Sequence, residues 1–189
     1  MDRRGFTLVE VVAAVSLLTV VGLSVSTALI AGRTAAVYGR ARTIGRIAAQ
    51  SRLAMLTSLA FYTSTDAAGA EVVVTDTTSD LTVDPLTSGG VGLRPSPADA
   101  LWRDTAGYVD YLDVTGRALG ADAAARMRAA YVRRWAIGRC GAGAGEVALF
   151  AVLVAPVATA VRVPAGDPAR LRDQPGVVVL RATRLREAR

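Results

Sequence analysis

Hydrophobic positions are distributed very unevenly along this chain, with one long apolar run near the N-terminus and several short runs after it. The long run extends from Phe6 to Ala31 and contains a single charged residue, Glu10. As a helix it is roughly 39 Å long, which exceeds the hydrocarbon thickness of about 30 Å that a membrane helix must span. The pattern therefore predicts a transmembrane helix with a costly carboxylate near its start.

The helical pattern continues beyond Ala31 but becomes amphipathic, because apolar residues recur at helical spacing among arginines. The simplest interpretation is one helix from about Phe6 to about Leu59, whose second half covers a folded domain. Its predicted apolar stripe is Val37, Ala41, Ile44, Ala48, Met55 and Leu59. The charges predicted to surround this stripe are Arg33, Arg40, Arg42, Arg46 and Arg52.

The rest of the chain alternates short apolar runs with turn-forming residues, which is typical of strands. The predicted elements are strands over 71–76, 108–114, 131–137, 146–155 and 176–185, a short Ala-rich helix over 121–130, and a loop over 62–69. The strands over 131–137 and 146–155 are joined by a Gly-rich loop and are expected to form a β-hairpin. This order predicts an α+β fold in which the long helix covers one face of a small antiparallel sheet.

The composition excludes several kinds of site. The chain has no His and a single Cys, Cys140, so an internal disulfide is impossible and a zinc site of the usual Cys/His type lacks ligands. No Gly-x-Ser-x-Gly elbow and no Walker loop is present. We therefore expect a protein that is not an enzyme and holds no metal or cofactor. Cys140 is interpreted as a small residue in a Gly-rich turn rather than as a reactive thiol.

The net charge is +6, and all the basic residues are Arg. Such an excess attracts nucleic acid or anionic headgroups. The arginines are scattered and few aromatic residues lie among them, so the stacking platforms of a single-strand binder are not visible. A solvated, Arg-rich surface is therefore preferred to direct DNA binding, which stays an alternative.

Two motifs in the second half of the chain allow alternative interpretations. Asp110, Asp113 and Gly116 suggest a calcium loop, but their spacing is not that of an EF-hand. A strand followed by a turn is preferred. The sequence Arg133-Arg134-Trp135 is basic and aromatic, and a core Trp flanked by edge arginines is preferred to a binding patch.

The segment Arg3-Arg4-Gly5-Phe6-Thr7-Leu8-Val9-Glu10 resembles the signal of type IV prepilins and pseudopilins. That signal is a short basic leader ending in Gly, followed by Phe and by Glu at the fifth mature position. The resemblance implies that prepilin peptidase cuts between Gly5 and Phe6, that Phe6 is N-methylated, and that Glu10 meets the N-terminal amine of a neighbouring subunit. Arg3 and Arg4 are the basic residues of the leader. Opposite charges attract far more strongly in a low dielectric than in water, which is consistent with that role of Glu10.

The same resemblance implies a pilin-like fold and a division of the chain into four segments. These are a leader at 1–5, a transmembrane or filament-core helix at 6–31, its amphipathic continuation at 32–60, and an extracytoplasmic β-rich domain at 61–189. Thr27 stands where many major pilins have Pro, which favours a minor pilin or pseudopilin.

The implied partners are other pilin or pseudopilin subunits, prepilin peptidase, an inner-membrane assembly platform and membrane lipid. The implied location is the bacterial cytoplasmic membrane, with Arg3 and Arg4 inside and the globular domain exported. After assembly the subunit would lie in a filament outside that membrane, serving pilus biogenesis, type II secretion or DNA uptake.

Other interpretations of the N-terminus explain less of the sequence. A secretory signal peptide carries its cleavage site after the apolar core, whereas the junction at Gly5-Phe6 precedes it. An uncleaved signal anchor accounts for the hydrophobicity but does not require Glu10, unless this residue simply reaches the headgroups. The alternative function is therefore a single-pass, membrane-anchored extracytoplasmic binding domain that is neither cleaved nor polymerised.

Overall fold

The chain forms one long helix followed by several small sheets. The computed structural model describes residues 7–142, 145–160 and 174–188. Helix α1 spans Leu8–Ser58. The chain divides into two compact units, Met1–Arg40 and Ala41–Arg189. The first unit holds the beginning of α1, and the second holds the rest of α1 and the strands of the described ranges.

The described part of the second unit contains short strands and two short helices. The strands are β1 (Phe61–Thr65), β2 (Glu71–Thr75), β3 (Ser79–Asp80), β4 (Thr87–Ser88), β5 (Val109–Leu112), β6 (Ala118–Gly120), β7 (Tyr131–Cys140), β8 (Val147–Pro156), β9 (Val178–Leu185) and β10 (Glu187–Ala188). The helices are α2 (Ala123–Arg128) and α3 (Val157–Ala160).

The strands form three sheets within the described residues. The largest is antiparallel and has the order β6-β5-β7-β8-β9, a second has the order β10-β1-β2, and β3 pairs with β4. Strands β1 and β10 are parallel, while β1 and β2 are antiparallel. The expected α+β arrangement of a long helix with small antiparallel sheets is confirmed.

The expected hairpin is formed by β7 and β8. Tyr131 pairs with Pro156, and the register continues without interruption to Cys140 opposite Val147. Strand β9 pairs with the other edge of β8. The central position of β7 and β8 places most of their side chains in the core, where Trp135 is fully buried.

The prediction of a loop over 62–69 is wrong for the first half of that segment. Residues Phe61–Thr65 form β1, which pairs residue by residue with β2. The turn is confined to the following residues, where the Oδ1 atom of Asp66 accepts hydrogen bonds from the backbone N–H groups of Ala68 and Ala70 at 2.9 and 2.8 Å. Ser, Thr and Asp favour turns, but here strand pairing overrides that local preference.

Within the second unit, the buried stripe of α1 differs from the predicted one. The buried residues of α1 are Ala41, Gly45, Ala48, Ala49, Arg52 and Leu56. Ala41 and Ala48 are as predicted, whereas Ile44 is only partly buried. Small residues let the helix lie close to the sheet, because a Cβ atom on Gly45 would come within 3.2 Å of Val178 Cγ2. Arg52 was expected at the surface and is instead buried.

A carboxylate on the sheet explains the burial of Arg52. Asp110 in β5 is fully buried, and its Oδ2 atom accepts a hydrogen bond from Nη2 of Arg52 at 2.7 Å. Arg133, the cross-strand neighbour of Asp110, donates Nε to Oδ1 at 2.9 Å and Nη2 to Oδ2 at 2.5 Å. Its Nη1 donates to the carbonyl of Ala48 in α1 at 3.0 Å. The carboxylate therefore joins α1 to the sheet.

The Arg52 guanidinium is strongly desolvated. It lies over the ring of Trp135, 4.5 Å from the centroid. The pKa of Arg52 is lowered to about 10, chiefly by burial; the positive charge of Arg133 acts in the same direction, while Asp110 and Asp84 oppose both effects. Removing one partner of a buried ionic network commonly costs about 3–5 kcal/mol, because an uncompensated charge stays buried. We infer that Asp110 is essential to the stability of this unit.

The two adjacent arginines of β7 serve opposite faces of the sheet, because successive side chains of a strand alternate. Arg134 donates Nε and Nη2 to Asp104 Oδ1 at 2.9 and 2.7 Å. Tyr111 donates its hydroxyl to Asp104 Oδ2 at 2.8 Å, and burial, together with this hydrogen bond, raises the pKa of Tyr111 to about 12. Trp135 lies in the core, as expected. The expectation that the flanking arginines lie at a sheet edge is wrong, because Arg133 and Arg134 are on a central strand.

The buried network predicts a large effect of Asp110→Asn. This substitution should lower the free energy of unfolding by about 3–5 kcal/mol, because Arg52 and Arg133 lose their shared counter-charge. The measurement is chemical unfolding of the full chain in a nonionic detergent, followed by tryptophan fluorescence.

The matched control is Asp99→Asn. It removes an exposed ion pair with Arg103, whose N–O distance is 3.4 Å, and should cost less than about 1 kcal/mol. Equal losses of stability in the two variants would contradict the role assigned to Asp110.

Candidate functional site

Thr7 and Glu10 are joined by reciprocal hydrogen bonds at the N-terminus of α1. Thr7 directly precedes Leu8, the first helical residue, so Thr7 occupies the N-cap position and Glu10 the N3 position. The backbone N–H of Glu10 donates to Oγ1 of Thr7 at 3.3 Å. The backbone N–H and the hydroxyl of Thr7 both donate to Oε2 of Glu10 at 3.1 Å. This arrangement is a capping box.

The capping box gives Glu10 a role within its own chain, in addition to the one expected from the resemblance. The first four N–H groups of a helix lack intrahelical acceptors, and unpaired polar groups are costly in hydrocarbon. The spacing Thr-x-x-Glu is a known signal for such a box, so this role was visible in the sequence. Because Glu10 is exposed, its carboxylate also stays accessible to a second partner.

The N-terminal part of α1 has an apolar surface, and its Ser and Thr hydroxyls are hydrogen-bonded within the helix. Large apolar side chains are exposed along it, including Leu8, Leu18 and Ile30. Between residues 8 and 40, each Ser or Thr hydroxyl donates to a backbone carbonyl three or four residues earlier. These residues are Ser16, Thr19, Ser24, Ser26, Thr27 and Thr34. By length and composition α1 is apolar enough to cross a membrane, and its hydroxyls present no unpaired group to hydrocarbon.

The remaining predicted residues of the N-terminal site lie outside the described residues. They are Arg3, Arg4, Gly5 and Phe6. Of the predicted site, the structure therefore places Glu10, in the first turn of α1.

The two aspartates considered for calcium are separated in their roles. Both carboxylate oxygens of Asp110 accept hydrogen bonds from the buried arginines, whereas Asp113 lies in a turn after β5. Its Oδ1 atom accepts hydrogen bonds from the backbone N–H groups of Thr115 and Arg117 at 2.7 and 3.0 Å. In the described ranges no three acidic or Cys side chains are grouped as metal ligands would be. The preferred interpretation of a strand followed by a turn agrees with the structure.

Cys140 is the last residue of β7, and its side chain is exposed. Gly141 follows with φ of 86°, a left-handed conformation that glycine adopts without strain. The interpretation of Cys140 as a turn residue is therefore wrong: Cys140 is still paired with Val147 in the β7–β8 hairpin. As the single thiol of the chain, it is suited to specific chemical labelling.

Residues 1–26 match the family model described as the prokaryotic N-terminal methylation motif. No curated protein and no solved structure matches the chain. The matched segment includes the Gly5-Phe6 junction, the capping box and more than half of the apolar run. The chain thus carries the N-terminal motif of the type IV pilin and pseudopilin family, which marks subunits that prepilin peptidase processes and that assemble with other pilins.

Proposed function

We propose that this chain is a minor type IV pilin or pseudopilin. It is cut between Gly5 and Phe6, methylated on Phe6, held in the cytoplasmic membrane by α1 and then incorporated into a filament. The observation that carries this proposal is the methylation motif joined directly to a helix that is long and apolar enough to cross a membrane. The combination of the motif and the apolar helix supports the function of a filament subunit rather than that of an enzyme.

The proposed role of Glu10 is to pair with the N-terminal amine of a neighbouring subunit. In the single chain, the Glu10 carboxylate accepts hydrogen bonds from Thr7 but has no cationic partner within the described residues. Cleavage before Phe6 creates a cation in the same apolar setting. Opposite charges attract strongly where the dielectric is low, so assembly neutralises two groups that are costly when alone in hydrocarbon.

The proposed orientation places Arg3 and Arg4 in the cytoplasm and the β-rich unit outside. Positive residues near the end of a membrane helix are retained on the cytoplasmic side. Arg33 and Arg40 follow the apolar run at its other end and reduce this charge contrast. Membrane lipid and an inner-membrane assembly platform are the further partners in this proposal.

A second candidate is an uncleaved, membrane-anchored binding domain that does not polymerise. The capping box favours it to the extent that Thr7 gives Glu10 a partner within the chain, so that no neighbouring subunit is required. The methylation motif favours the filament subunit.

Two substitutions at Glu10 separate pairing by charge from capping. Glu10→Val removes both functions, while Glu10→Gln keeps an N3 side chain able to complete a capping box and removes the charge. We expect both variants to insert in the membrane and both to be strongly depleted from filaments. The measurement is the fraction of each variant in sheared filaments and in membranes of its own host, by immunoblot.

The two variants give opposite results if capping is the essential role. Normal incorporation of Glu10→Gln, with loss of Glu10→Val alone, would contradict the proposed charge pair. Glu10→Asp serves as the control that retains the charge, and it should be incorporated better than Glu10→Gln.

The single thiol provides a test of orientation. A membrane-impermeant maleimide should label Cys140 in spheroplasts, because the β-rich unit is outside. The double substitution Arg3→Gln and Arg4→Gln should reduce this labelling, since the leader loses the charge that keeps it inside.

The matched control for orientation is Arg33→Gln with Arg40→Gln, which removes the same charge from the other end of the apolar run. Labelling should be maintained in this control. An unlabelled Cys140 in the unsubstituted protein would refute the proposed orientation.

A further inference from the structure

A cavity of about 230 Å³ opens beside the buried arginines of the second unit. Arg52 and Arg133 contribute its buried polar lining, and Ile44, Ile47 and Met55 of α1 contribute apolar lining. The cavity therefore has a mixed lining of arginines and apolar side chains. This combination suits a ligand that has both an anionic end and an apolar part.

The buried lining carries a surplus positive charge. Arg52 and Arg133 share one carboxylate, because both donate to Oδ2 of Asp110. In addition, Nε of Arg52 is buried and has no hydrogen-bond partner in the described part of the chain. Buried polar atoms are nearly always satisfied, so the positive charge of Arg52 is incompletely compensated within the described residues.

The exposed lining does not remove the surplus. Arg117 and Asp84 both line the cavity and both are exposed. Asp84 acts electrostatically on Arg52, and Arg117 adds one further positive charge, so a surplus of one positive charge remains. No ion pair of Arg117 is present among the described residues, which leaves its guanidinium available at the cavity mouth. Guanidinium groups match the planar geometry of a carboxylate and can bind it through paired hydrogen bonds.

We propose that this cavity binds a carboxylate carried on a short aliphatic stem. The surplus of one positive charge fits a monoanion, and Ile44, Ile47 and Met55 accept the stem. This chemistry is shared by a free short-chain acid and by a glutamate side chain of a protein partner. The inference does not depend on cleavage or on filament assembly.

The three methionines of the chain provide the test. Met55 lines the cavity, and Met127 in α2 is 83% exposed and serves as an internal control. The full chain, labelled with ¹³C at the methionine methyl groups and held in a nonionic detergent, is titrated at constant ionic strength. The probes are butyrate, N-acetylglutamate amide, their neutral analogues butyramide and N-acetylglutamine amide, and inorganic phosphate.

We expect both carboxylates to shift the Met55 signal saturably, with Met127 unchanged and with no saturable shift from the neutral amides. Tighter binding of N-acetylglutamate amide than of butyrate assigns the ligand to a protein side chain, and the reverse assigns it to a free acid. Arg117→Gln should weaken binding about two- to fivefold, whereas Arg103→Gln, an equal charge change outside the cavity lining, should leave binding unaltered.

Three results would overturn the proposal. The first is a Met55 signal that does not respond, or responds equally to butyramide. The second is equal binding by Arg117→Gln and the unsubstituted chain. The third is phosphate binding more tightly than either carboxylate, which would exclude the aliphatic stem as a determinant.

Discussion

The buried carboxylate of Asp110 is the interaction on which the β-rich unit depends most. It receives hydrogen bonds from an arginine of α1 and from an arginine of the neighbouring strand, so one side chain fixes the helix against the sheet. It also permits a guanidinium to lie on the buried face of α1, against Trp135. A buried charge pair adds less stability than its contacts suggest, because desolvation is costly. Its clearest effect is to fix the position of α1 on the sheet, because Asp110 accepts hydrogen bonds from both elements.

The sequence predicted the parts of this fold that depend on local patterns. The long helix, the β7–β8 hairpin and the short helix after residue 121 follow from the period of apolar positions and from glycine-rich turns. The burial of Arg52 could not be predicted in this way, because its partner lies 58 residues further along the chain. Strand β1 was mistaken for a loop for a related reason. Its Thr and Ser residues favour turns, and only the pairing with β2 makes them a strand.

At the N-terminus, the sequence was more informative about function than about local structure. The resemblance of residues 3–10 to a prepilin signal agrees with the matched methylation motif. The capping box between Thr7 and Glu10 adds a physical element that the resemblance did not supply. The carboxylate is stabilised within its own helix and is still exposed, which is compatible with the proposed pairing with a neighbouring subunit. Pairing by charge and capping of the helix are therefore compatible roles of one residue.

The proposed function requires processing at the Gly5-Phe6 junction, and the mass of the N-terminal peptide tests this most directly. The protein is purified from the membranes of its own host, and its N-terminal peptide is analysed by tandem mass spectrometry. We expect a peptide that begins with an N-methylated Phe6. A peptide that begins with Met1 or Asp2, in cells with active prepilin peptidase, would contradict this expectation and would favour the uncleaved membrane anchor.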